Sequence, residues 1–160
     1  MNRMADGSND RDAARRRLWM GILARSSTAR LEQSWEALTD KPAYRMLRTP
    51  QVGLAMVRGR IGGTGEAFNL GEMTMTRAAV QVAGKDGMVA TGYGYVAGRD
   101  MRHAELAALF DALLQEPHRH MQLLEQVIEP LAAELAAART KKAGQVGPSK
   151  VEFFTLVRGD

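Results

Sequence analysis

Apolar positions follow a helical rhythm at both ends of this chain and a two-residue rhythm in its middle. From Asp10, Leu18, Trp19, Ile22 and Leu23 fall at i, i+1, i+4 and i+5, with Arg15, Arg16 and Arg25 opposite, which predicts an amphipathic helix. The serines and threonine at 26–28 can end it and cap a second, shorter helix bearing Leu31, Trp35 and Leu38. Residues 1–9 are polar and aperiodic and read as a frayed end. Between 44 and 97 the pattern changes. Val52, Leu54 and Met56 alternate; so do Phe68 and Leu70, then Met73 and Met75 on the opposite parity, then Ala78, Val80 and Val82 on the first. The parity change near Gly71 predicts a bulge. The stretch AGKDG at 83–87 reads as a hairpin turn. Beyond it Val89, Thr91, Tyr93 and Tyr95 share one strand face, and Ala90, Gly92 and Gly94 the other. A face that small lets a helix or another backbone approach closely.

Asp100 is placed to cap a helix over 101–115 with Leu106, Phe110, Leu113 and Leu114 on its apolar side. Pro117 suits a first helical position, and the following stripe (Leu124, Val127, Ile128, Leu131, Leu135) runs to about residue 143. Pro130 should kink or divide that helix at Glu129, and Gly144 can end it. Residues 138–149 read as an exposed loop region, and VEFFTLVRG at 151–159 as a final strand, apolar on both faces at its centre. The expectation is a single domain over 1–160 of α+β class: an antiparallel sheet flanked by an N-terminal helix pair and two C-terminal helices.

Composition removes several functions. Without cysteine the chain has no thiol nucleophile, disulfide framework or cysteine-based zinc site. No apolar run approaches the roughly 20 residues that span a bilayer, and the first residues carry no secretory signal, so the expected location is the cytoplasm, with no membrane partner. The net charge of +4 is mild. The second helix shows Glu32, Gln33 and Glu36, which would repel phosphate, and no nucleic-acid partner is expected. His118 and His120 point about 200° apart on a helix and cannot share a metal, and no metal site is expected. His103, one turn into the capped helix, reads as structural.

The stretch IGGTGEAF at 61–68 concentrates glycines at Gly62, Gly63 and Gly65 around Thr64. A phosphate-binding loop would need a lysine and a hydroxyl after the last glycine, but Glu66 and Ala67 stand there and strand alternation resumes. The cluster reads as a tight connection between strands with positive φ values. Arg99 and Asp100 sit where a strand meets a helix N-terminus, a geometry that favours anions, although Asp100 itself occupies the cap. Arg58, Arg60, Arg77 and Arg158 lie among apolar strand residues, where arginines pair with buried carboxylates (Glu66, Glu72 and Asp100 are available) or bridge to another chain. No catalytic set emerges. The binding or interface candidates are Gly62, Gly63, Thr64, Gly65, Arg77, Arg99, Asp100, His103 and Arg158.

Three segments together, GGTGEAFNLGEMTMTRAAV, GYGYVAGRDMRHAELAALFDALLQ and VEFFTLVRGD, resemble the G subunit of the bacterial carbon–phosphorus lyase system. The resemblance runs from about Trp19 to Asp160. It implies a part in phosphonate use, alongside H, I and L subunits that together replace the adenine of ATP with an alkylphosphonate to give ribose 1-alkylphosphonate 5-triphosphate. It also implies a core assembly of G, H, I and the radical-enzyme J subunit, each present twice, with the nucleosidase-like chemistry on I. It carries no catalytic residue onto this chain. The leading expectation is an accessory subunit without a cofactor of its own, in contact chiefly with I, ATP being a substrate of the whole complex. The rival is a self-sufficient nucleotide- or phosphonate-binding enzyme that uses the GGTG loop with Arg77 and Arg99.

Overall fold

Two long strands and one short one make an antiparallel meander, ordered β1-β2-β3, in the computed structural model, which describes residues 4–84 and 87–146. β1 covers Tyr44–Arg60, β2 Ala67–Ala83 and β3 Val89–Ala97. β1 and β2 pair over their whole length, from Tyr44↔Val82 to Arg60↔Ala67. β3 reaches only from Ala83↔Val89 to Met75↔Ala97. The far half of the β1–β2 hairpin therefore projects beyond the third strand as a two-stranded arm.

The predicted irregularity at Gly71 is present. Val57 faces Gly71 but Arg58 faces Asn69, so Leu70 is the extra residue, and Gly71 takes φ 149°, open to glycine. The bulge inverts the parity, and Phe68 comes to share a face with Met73 and Met75. Two more register shifts flank Arg48, at Leu47 and at Thr49–Pro50. A proline without an N–H is accommodated at such a bulge on an edge strand.

α3, Met101–Leu113, lies across one face of the sheet. Its approach explains Gly92 and Gly94: a Cβ on either would stand 1.9 Å from the carbonyl oxygen of Ala108 or Ala104. Thr76, Ala78, Val80 and Val82 of β2 and Val96 of β3 are buried under this helix. α1, Met4–Leu23, and α2, Thr28–Ala37, pack on the helix's other side, so α3 is covered nearly all round and its residues from Leu106 to Leu114 are all buried. Trp35 meets Phe110 edge to face at a centroid distance of 6.2 Å. Ser27 caps α2 as its hydroxyl accepts from the Arg30 N–H. Of the predicted stripe on α1, Trp19 and Leu23 are buried, whereas Leu18 is 69% exposed.

α4, Pro117–Leu123, continues through a π turn at Leu124–Ile128 into α5, Glu129–Val146. The division falls where Pro130 predicts it. Proline cannot donate to the carbonyl four residues back and crowds it, and the wider turn, with Glu129 N–H bonded to Leu124 O, relieves that crowding. Two boundaries differ from expectation. α1 begins at Met4, so residues 4–9 are helical rather than frayed. α5 passes Gly144 without stopping, so 138–146 are helix and not loop, while 147–149 and the expected final strand lie outside the described residues. At the β2–β3 turn, Gly87 N–H donates to Gly84 O and Gly87 has φ 72°; Lys85 and Asp86 fall outside the described residues.

Candidate functional site

The sequence candidates separate into three places. Gly62, Gly63, Thr64 and Gly65 form the tip of the projecting hairpin, a short 3-10 turn at Ile61–Gly63. Gly62 and Gly63 take φ 61° and 80°, which side chains with a Cβ resist. Nothing lies within 4 Å of where their Cβ atoms would be. Only Gly65 is needed for close approach, and to its own turn: a Cβ there would sit 2.9 Å from Ile61 O, whose carbonyl accepts the Gly65 N–H. Arg60 clips the tip by donating to Gly65 O at 3.0 Å.

Arg77 stands on β2, opposite Gln51 on one side and Tyr95 on the other. Between Ala67 at the tip and Arg77 the strand rises roughly 33 Å. Arg99 follows Gly98, whose N–H is bonded to Thr74 O at 2.9 Å, so it too is set back from the tip, by roughly 23 Å of strand. The structure thus does not bring the glycine turn, Arg77 and Arg99 together into one pocket. Arg158 lies outside the described residues.

Asp100 and His103 belong to a joint between helices. The Asp100 carboxylate accepts from His103 N–H at 2.9 Å, capping α3, and from the Thr28 hydroxyl at 2.6 Å, at the start of α2. Those two bonds, Thr28 first, hold the Asp100 carboxyl below its ordinary range. The buried His103 ring donates from Nε2 to Leu23 O, at the end of α1, across 2.8 Å. Three helix ends meet on these two residues. His118 faces Glu116 and His120 faces Leu114 O, so the two rings have different partners.

A buried ion pair went unread in the sequence. Asp111 is fully buried inside α3 and accepts from Arg16 Nη2 at 2.7 Å, Arg16 Nε at 3.1 Å, Trp19 Nε1 at 2.9 Å and the backbone N–H of Tyr93 at 2.9 Å. Arg16 also donates to Thr91 O, as does Gln115. Its pKa is raised, chiefly by the bond to Asp111. Side chains thereby occupy backbone groups on the outer edge of β3 that another strand would otherwise take. The signal was available: a single carboxylate in the run LAALFDALL must be satisfied if that helix is buried on all sides. A cavity of about 590 Å³ opens beside this pair, lined by Arg16, Trp19, Gln115 and His120 among others, and it contains none of the predicted site residues.

The remaining feature is exposed apolar surface. On the face continuous with the α3 side, but beyond that helix, Val52, Leu54 and Met56 are 42%, 66% and 52% exposed. On the opposite face of the arm are Phe68 and Leu70, exposed likewise, with Leu70 lying over Gly59. A two-stranded ribbon is marginal in water, and one apolar on both faces is suited to burial against another chain.

The phosphonate metabolism protein PhnG family matches residues 14–159. The chain belongs to that family. Alpha-D-ribose 1-methylphosphonate 5-triphosphate synthase subunit PhnG of Rhizobium meliloti (strain 1021) is similar over nearly its full length: 42% identity over 156 residues, 98% of this chain and 97% of the relative. No group of three or more metal-binding side chains occurs among the described residues, and no described helix is long and apolar enough to cross a membrane.

Proposed function

We propose that this chain is an accessory subunit of a phosphonate-activating enzyme. The complex breaks the bond from ribose C1 to adenine in ATP and joins that carbon to a phosphonate oxygen, releasing adenine and forming ribose 1-alkylphosphonate 5-triphosphate. The observation that carries this reading is the full-length, 42% identity to a subunit of that synthase. The exposed two-faced arm supports it, because such surface belongs against other chains. In this reading the partners are the H, I, J and L subunits, I most directly, with two copies of this chain per assembly in the cytoplasm. The chain supplies shape rather than reacting groups and holds no cofactor of its own.

The test is reconstitution. The H, I and L subunits are combined with ATP and methylphosphonate, with and without this chain, and adenine release is followed by chromatography. Release should require the chain, and the chain alone should release none. Full activity in its absence overturns the reading, as does adenine release or tight ATP binding by the isolated chain.

A further inference from the structure

The outer face of the sheet differs from the face under α3 in one respect that the apolar arm does not explain. Register places Arg45, Arg48, Gln51, Gly53, Ala55 and Val57 of β1 on it. From β2 it takes Met73, Met75, Arg77, Ala79 and Gln81, and from β3 Thr91, Tyr93, Tyr95 and Ala97. Three arginines stand there and no carboxylate. Arg45 is engaged by Gln81 at 2.6 Å. The side chains of Arg48 and Arg77 have no hydrogen bond or ion pair to any described residue, and both residues are exposed. Beside them Tyr93 and Tyr95 are 41% and 48% exposed and Met73 is 36% exposed.

We propose that this face receives a carboxylate-bearing surface of a partner polypeptide, with Arg48 and Arg77 as its charged anchors. The proposal rests on the accessory-subunit reading. Tyrosine, methionine and arginine are the residues enriched at interface centres, and arginine gives two parallel bonds to a carboxylate. Charge rules out the simplest alternative. A second copy docked across a two-fold axis would set arginine against arginine, a like-charge contact that costs affinity. Nucleic acid is disfavoured by the surroundings. Two tyrosines among methionines, next to an aliphatic arm, do not form a series of stacking platforms along a basic groove.

The experiment co-expresses this chain, tagged, with the H, I, J and L subunits and measures recovered partner. It is run for the wild type, for the double variant Arg48→Glu/Arg77→Glu and for Arg48→Lys/Arg77→Lys. Melting of each isolated chain checks folding. The reversal should lower recovery at least tenfold with the melting temperature unchanged, the lysine variant, which keeps the charge but loses the paired bonds, should fall between it and the wild type, and wild-type recovery should weaken as salt rises. Undiminished recovery with the reversal overturns the surface while leaving the accessory reading intact. Wild type that recovers no partner overturns the accessory reading, and this surface with it. Nuclease-sensitive nucleic acid on the wild type that is lost on reversal replaces the polypeptide by the rival ligand and overturns the proposal.

Discussion

The β1–β2 hairpin consists of two halves with the same alternation of apolar residues, and they meet opposite fates. In the near half Thr76, Ala78, Val80 and Val82 disappear beneath α3. In the far half Leu54 and Met56, on the same side, stay in solvent, as do Phe68 and Leu70 on the other. Nothing in the strands' own alternation tells them apart. The difference is made by β3, which stops at Ala97, and by α3, which turns back from Asp100 at the level of Thr74 and Thr76. Apolar alternation marks what must be buried; it leaves open whether the same chain or another one buries it.

Four substitutions would break or sharpen that contrast. Gly94→Val should have the largest effect, because its Cβ would fall 1.9 Å from Ala104 O and helix and sheet could not close; we expect no cooperative thermal unfolding by circular dichroism. A melting curve like that of the wild type would mean that α3 does not seat as described. Asp111→Ala comes next. It strands the partly buried Arg16 and the N–H groups of Trp19 and Tyr93, and should cost about 3–5 kcal/mol in urea unfolding.

Asp100→Ala should cost about 1 kcal/mol by removing the α3 cap. Because the folded carboxyl is held below its ordinary value, its contribution is present above the unfolded pKa and is lost as pH falls through the folded one. The difference between wild type and variant should therefore be constant above about pH 5 and shrink below about pH 4. A difference that grows on acidification would contradict the bonds to Thr28 and His103. The smallest effect is expected on the arm. Leu54→Ser should change the isolated chain's unfolding free energy by less than about 0.5 kcal/mol. A loss comparable to that of Asp111→Ala would show that the arm folds back onto its own core.

Local chemistry made much of this legible. Ser27 and Asp100 announce their helices because short polar side chains satisfy free N–H groups, and Pro130 announces the division at Glu129 because it lacks one. The bulge at Gly71 followed from a slip in parity. The spatial grouping of the site candidates was not legible in the same way. Arg77 and the glycine turn are close in sequence, but an extended strand sets them roughly 33 Å apart. Asp100 was legible as a cap, but its bond to Thr28 and that of His103 to Leu23 were not, because the ends of α2 and α1 come from distant sequence. Asp111 was passed over because its partners lie far away along the chain, on α1 and β3.

The sequence by itself determined the α+β class, the meander, the caps and the small-faced strand at Gly92 and Gly94, since each depends on residues adjacent in the chain or on a fixed strand or helix period. It also carried the family, through a likeness that spans nearly the whole length. The tertiary structure alone decided which apolar residues are core and which are exposed arm, and which arginines have partners within the described fold. Those outcomes depend on where α3 ends its cover and which strands stand side by side, and such contacts are set by packing between distant segments rather than by any local pattern.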